Sequence, residues 1–209
     1  MKTLNFILIL LLTVTSCHSQ TKKVDTEKIV GGSCEGCEAV FEFGKKKLLA
    51  IDTLPDFEKT EPKLKLTGTV FEKDGKTPVE NVILYIYQTD RNGIYASKGN
   101  EKGWAKRHGY IRGWIKTDKS GMHAFYTFRP VSYPSGTEPE HIHITVKELN
   151  KNEYYIDEFV FDDDLMLTQK ERDELENRGG SGIVQPRLKD GILTANRDII
   201  LGLNIPNYE

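Results

Sequence analysis

Val82-Ile83-Leu84-Tyr85-Ile86-Tyr87 is apolar at both parities. In an extended chain successive side chains point to opposite faces, so Val82, Leu84 and Ile86 face one way and Ile83, Tyr85 and Tyr87 the other. A segment that must bury both faces reads as a central strand of a packed sandwich. On its N-terminal side, Leu64 to Phe71 alternates apolar and polar positions as a half-buried strand does, and Asp74-Gly75 followed by Pro78 makes the intervening turn. Further strands are expected over 110–117, 122–129, 141–148 and 154–161, with turns at Asp118-Lys119-Ser120-Gly121 and Asn150-Lys151-Asn152. Short strands at this spacing predict an all-β fold, an antiparallel β-sandwich. Thr168-Gln169-Lys170-Glu171 reads as a capping box opening one short helix in the C-terminal half, which ends between Asn177 and Gly180. Two short strands near 183–186 and 198–203 follow.

Composition narrows what such a sandwich does. With 38% hydrophobic and 29% charged residues and a net charge of -2, the 209-residue chain is neither a polytopic membrane protein nor a basic nucleic-acid binder. Three cysteines are too few for a disulfide scaffold, so ordinary core packing must hold the fold.

Met1 and Lys2 precede an apolar run, Phe6 to Leu12, that falls well short of the roughly 20 residues a spanning helix needs. Residues 1–16 therefore read as a secretory signal peptide. Val14-Thr15-Ser16-Cys17 resembles a bacterial lipobox, which implies lipidation of Cys17 and contact with a membrane through that anchor alone. His18 and Ser19 follow the cysteine without an aspartate retention signal, which places the protein in the cell envelope, at the outer membrane. Residues 17–61 read as the lipid-anchored leader and surface connection, with 18–30 a flexible tether, and 62–209 as the sandwich domain. Within the leader, Cys34 and Cys37 form a C-x-x-C pair. An exported protein meets oxidising conditions, which favours a local disulfide; no thioredoxin-like context or second ligand pair surrounds it.

His141-Ile142-His143 carries the chemistry. Residues i and i+2 of a strand share a face, so the two imidazoles point together, with Cα atoms roughly 6.6–7 Å apart, and can converge on one metal ion. Tyr95 ends the turn after the central strand, and Tyr133 lies in the loop leaving the 122–129 strand. His108, in a loop after Trp104, is placed to rim a pocket to which Trp104 and Tyr110 would offer an aromatic wall. His123 reads as a surface or internally satisfied histidine.

The ordered set Gln88-Thr89-Asp90, Gly93, Tyr95, then Arg112-Gly113, Thr117-Asp118, Gly121, Pro130, Tyr133-Pro134 and His141-Ile142-His143 resembles the intradiol ring-cleavage dioxygenases, the family of catechol and protocatechuate dioxygenases. The resemblance covers about residues 62–161. It implies a non-haem ferric ion, Fe(3+), held by Tyr95, Tyr133, His141 and His143. It implies a catechol-like small molecule and O2 as partners, and cleavage between the two hydroxylated carbons to a muconate-type diacid. Tyr133 would be the ligand that is displaced and serves as a local base. Phenolate is costly at neutral pH for a group with pKa near 10; a trivalent ion reverses that cost. The chain departs from the family pattern at Glu138, where an arginine commonly stands, and at Glu158, where a glutamine is frequent. A carboxylate near the ring opposes the charge an anionic substrate brings. These departures keep a second reading open: a catalytically impaired sandwich on the cell surface that binds a metal or ligand without turnover. The sequence leaves the oligomeric state undetermined.

Overall fold

The computed structural model describes residues 27–209; the signal peptide, Cys17 and the start of the leader lie outside the described residues. In chain order the strands are β1 (Ile51–Thr53), β2 (Lys63–Phe71), β3 (Ile83–Tyr87), β4 (Arg112–Lys116), β5 (Met122–Phe128), β6 (His141–Lys147), β7 (Tyr154–Tyr155), β8 (Phe159–Phe161), β9 (Ile183–Val184), β10 (Arg187–Lys189), β11 (Ile192–Asn196) and β12 (Ile199–Ile200). Two short helices interrupt them, α1 (Ala105–His108) and α2 (Gln169–Glu174). The fold is an all-β sandwich of two sheets. One has the order β1-β5-β2-β11-β10 with β12 also on β2; the other has β4-β3-β6-β8-β9 with β7 on β6.

The alternation in β2 is real: Leu64, Leu66 and Val70 are fully buried between partly exposed neighbours. These side chains meet Leu84 and Ile86 of β3, Phe125 of β5, and Ile142 and Ile144 of β6 in one core between the sheets. Tyr85, on the other face of β3, is equally buried, packed with Trp114 against Ala39 and Val40. The doubly apolar strand therefore has the second sheet on one side and the N-terminal segment on the other.

That segment corrects the expected leader. Residues 27–61 pack onto the sandwich in place of a loose connection. Val30 lies in the core with no exposure, a 3-10 turn over Cys37–Phe41 covers β3, and β1 joins β5 at the sheet edge. Among the reasons are Ala39 and Val40, which with Phe43 form an apolar run too short to announce its packing. The sheets are also mixed, where antiparallel pairing was expected throughout. Strands joined by short turns pair antiparallel, as in β3 with β4, β6 with β7 and β10 with β11. The parallel pairs, β1 with β5, β11 and β12 with β2, and β8 with β9, join strands separated by other elements or long connections, which local turn spacing does not encode. The expected strand over 154–161 divides into β7 and β8, and α2 stops at Leu175, earlier than expected.

His123 is internal: fully buried, with Nε2 donating to the Arg197 carbonyl at 3.1 Å. Gly68 makes room for this pairing, since a Cβ there would meet Arg197 O at 1.9 Å and His123 Nε2 at 2.8 Å.

Candidate metal centre

β6 is hydrogen-bonded to β3 and β8, which sets His143 opposite Tyr87 and His141 opposite Val160. As the strand period requires, both imidazoles leave β6 on one face, with ring centres 4.7 Å apart. His141 Nδ1 lies 2.8 Å from the Pro139 carbonyl, and His143 Nδ1 lies 2.9 Å from a Glu158 carboxylate oxygen. Both acceptors require an N–H at Nδ1. Each ring therefore turns a bare Nε2 lone pair toward the same space, the tautomer a metal needs.

The phenols reach that space from two loops locked together. Gln88 accepts from Thr127 Oγ1 at 2.9 Å and donates to the Phe128 carbonyl at 2.8 Å. Thr89 Oγ1 donates to Val131 O at 2.8 Å, and Arg91 donates to Arg129 O at 3.0 Å. Asp90 closes the turn by accepting from the Asn92 and Ile94 backbone N–H groups. At Gly93, φ is +75°, and a Cβ would stand 2.3 Å from Ser132 O. Only glycine lets the turn carrying Tyr95 lie directly on the loop carrying Tyr133. The spaced motif Gln88-Thr89-Asp90-x-x-Gly93-x-Tyr95 is thus a clamp between two ligand-bearing loops.

The four donor atoms converge. Tyr95 Oη is 2.6 Å from His143 Nε2 and in hydrogen-bond contact with Tyr133 Oη. Tyr133 Oη is 3.0 Å from His141 Nε2 and 3.4 Å from His143 Nε2. All four site residues expected from sequence are therefore brought to one point. No group of three or more His, Cys, Asp or Glu side chains placed to hold a metal occurs among the described residues; the convergent set is two phenols and two imidazoles.

Its electrostatics ask for a cation. Burial, reinforced by the hydrogen bond between them, pushes the Tyr95 hydroxyl above its ordinary pKa, and burial raises Tyr133 as well. Burial and the neighbouring His143 lower His141, keeping it neutral. Burial works to raise Glu158, yet the hydrogen bond from His143 outweighs it and holds the carboxyl below its usual range. Two phenols this reluctant to ionise become phenolates only beside a strong positive charge. The donor set, two hard anionic oxygens and two neutral nitrogens with their second nitrogens bonded, fits a ferric ion.

Beside His143 opens a cavity of about 260 Å³ lined by Tyr87, Ile144, Tyr155 and Glu158. Its remaining wall is the loop Ser33 to Cys37, closed by a disulfide between Cys34 and Cys37 with Cα atoms 5.6 Å apart. Sequence reasoning had set this loop apart from the site. Tyr87 was also passed over as a strand residue. Its ring is stacked between His143 at 4.4 Å and His108 at 3.8 Å. Its position two residues after Tyr85 and opposite the H-x-H was the available signal. His108 is buried, with Nδ1 2.9 Å from Tyr85 Oη, so it backs the site without opening onto it. Trp104 and Tyr110 do not line this cavity; Tyr110 donates instead to Asp56.

Comparison with known proteins agrees with this geometry. A family model described as Dioxygenase matches residues 45–171. No curated protein matches the chain significantly. Among solved structures, similarity extends to the dioxygenase domain of a dioxygenase–carbohydrate-binding protein fusion from Streptomyces sp. SirexAA-E (22% identity, TM-score 0.52, 66% of this chain and 79% of that one). It extends also to hydroxyquinol 1,2-dioxygenase from Pseudomonas putida DLL-E4 (19%, 0.51, 76% and 64%). A third is 3-chlorocatechol 1,2-dioxygenase from Rhodococcus opacus 1CP (17%, 0.55, 72% and 63%). The chain spans less than two thirds of the length of these last two. At these identities the likeness is one of fold, and the family model, matching more than half of the sequence and containing all four convergent donors, carries the assignment: the chain belongs to the intradiol ring-cleavage dioxygenase family.

Proposed function

We propose that the protein is a non-haem Fe(III) intradiol dioxygenase that opens a catechol-type ring between its two hydroxylated carbons, giving a muconate-type diacid. The observation that carries the reading is the convergence of Tyr95 Oη, Tyr133 Oη, His141 Nε2 and His143 Nε2 on one point. These four side chains would hold the ion. When bound, ferric iron supplies a Lewis acid that takes a deprotonated catechol through its oxygens and makes the ring reactive toward O2. Both atoms of one O2 enter the product, and the ring's carbon–carbon bond supplies the electrons, so no external reductant is consumed.

The protein's own contributions are local. The Pro139 carbonyl and Glu158 fix the imidazole tautomers. Tyr95 is held by the clamped turn. Tyr133, on a partly exposed loop, is the residue whose phenolate would leave the centre and take up a catechol proton, becoming the phenol. Tyr155 offers a flat apolar wall to an aromatic ring, while Tyr87, covered on both faces by His143 and His108, holds His143 in place.

Tyrosinate on Fe(III) absorbs visible light, so the full-length chain purified with iron should be red-brown and lose that colour in Tyr95→Phe. A colourless iron-supplied protein would sink the proposal. A second reading, a metal- or ligand-binding sandwich impaired in turnover, is favoured by Glu138 and Glu158, two carboxylates beside the centre. Oxygen uptake with a panel of catechols separates the two, since a coloured binder consumes none. We also propose a lipid anchor at Cys17 in the cell envelope, at the outer membrane. Cys17→Ser should move the protein from the membrane to the soluble fraction.

A further inference from the structure

One short stretch of the N-terminal segment, residues 32–37, stands over the cavity beside His143, and it is anchored at both ends. Upstream, Val30 is fully buried and exchanges two hydrogen bonds with the Asn152 side chain, 2.6 Å through its N–H and 3.1 Å through its carbonyl. The Gly31 carbonyl accepts from the buried Arg178 at 2.8 Å, and the Gly31 N–H donates to the Pro206 carbonyl at 2.8 Å. Downstream, Cys37 is 2% exposed, with Thr145 Oγ1 3.7 Å from its sulfur. The Ala39 carbonyl just beyond accepts from Trp114 Nε1 at 3.1 Å. Gly36 rests against His108 and Trp104, so closely that a Cβ there would stand 2.8 Å from His108 Nε2.

The outer half of the loop has weaker holds. Gly32 and Ser33 are exposed, and nothing packs within 4 Å of the position a Gly32 Cβ would take. Glu35 pairs with Arg107, but both side chains are largely exposed, and such a pair contributes little in water. The bond from the partly exposed Cys34 to the buried Cys37 is therefore the tie that holds the outer half against the inner one. Ser33, Cys34 and Cys37 line the cavity of about 260 Å³ that His143 and Tyr155 also line. Pockets for drug-sized ligands run from roughly 300 to 1,000 Å³, so this one suits a single ring.

We propose that the disulfide-braced loop 32–37 is the specificity-determining wall of the ring-cleavage site, limiting it to single-ring catechols with small substituents. This rests on the ring-cleavage reading above and names the size class of its substrate. The bond acts by preorganisation: the wall stands in place before the ring arrives, so a compact catechol binds without the entropy cost of ordering a loop. A bulkier ring must push Cys34 outward against its bond to a buried partner, and overfilling a packed site displaces neighbours that do not yield.

The test uses the full-length, iron-loaded protein without O2, with 4-methylcatechol and 4-tert-butylcatechol as probes. Binding is followed by calorimetry and by the change in the visible band. The readout is the ratio of the two affinities, which a loss of stability alone does not move. In the unaltered protein the methyl compound should bind about tenfold more tightly. Replacing both Cys34 and Cys37 by serine should bring the two affinities to within about threefold, because the unbraced loop gives way. Ser33→Leu adds bulk at an exposed position of the braced wall and should widen the ratio about another tenfold; it decides between the outcomes if the double variant does not fold. A ratio near one in the unaltered protein, or a ratio unmoved in either folded variant, overturns the loop as the wall while leaving ring cleavage standing. Failure of both probes to bind or to move the band overturns the ring-cleavage reading and this one with it.

Discussion

Glu158 stands behind His143 as the acceptor that fixes its ring, 2.9 Å from Nδ1. Carboxylates placed so raise the basicity of a ligating imidazole and orient it, and their loss typically lowers metal affinity 10- to 100-fold. Glu158→Ala should lower iron affinity about 10- to 100-fold in competition with a chelator, and Glu158→Gln should recover part of it, because an amide oxygen still accepts from Nδ1–H. Unchanged affinity in both would remove Glu158 from the centre. At this scale the sequence was informative wherever a residue type has one chemistry and a fixed spacing. H-x-H on a strand shares a face whatever the fold, so His141 and His143 were legible from the strand period alone. Tyr95 and Tyr133 became legible only as members of an ordered motif, since a tyrosine after a strand is commonplace. The role of Glu158 was not legible, because β8 and β6 meet through a pairing that no local pattern encodes.

Among the elements, the loop closed by Cys34 and Cys37 shows how an ordinary feature acquires a function by position. It was readable as a disulfide from compartment and spacing, but its place against the cavity depends on how residues 27–43 fold back over β3 and β6. Ala39 and Val40, with Phe43, direct that packing, and an apolar run this short does not tell a strand from a helix or a packed turn. The β-strands behave oppositely: β2 and β3 announce themselves by parity, and the observed bounds fall within a residue or two of the expected ones. For a loop this short, cross-linking restricts the unfolded chain by about 2 kcal/mol. Replacing both cysteines by serine should lower the melting temperature by roughly 4–8 °C in a chain of this length. A melting temperature that does not move would show the loop to be held by its packing alone.

For the whole molecule, stability should depend on acid through buried histidines. Burial lowers His123 to about 4 and, with the neighbouring His143, lowers His108 to about 4. Unfolded, each returns to about 6.5. Between those values the unfolded chain binds protons that the native state refuses, so stability is complete above about pH 6.5 and declines as pH falls toward 4. The contribution of His123 alone is at most about 3 kcal/mol. Denaturant melts at pH 7 and pH 4.5 should show the loss, and His123→Gln, which retains a donor for the Arg197 carbonyl, should reduce it. Equal slopes in both proteins would assign the acid limb elsewhere. The mixed first sheet has a consequence in time. β2, near the front of the domain, has β5 on one edge and, on the other, β11 and β12, which come far later in the chain. Pairings so distant in sequence close late and slowly. A chain delivered N-terminus first can therefore pair one edge of Leu64 to Val70 with β5 early, but leaves the other edge open until β11 and β12 have arrived.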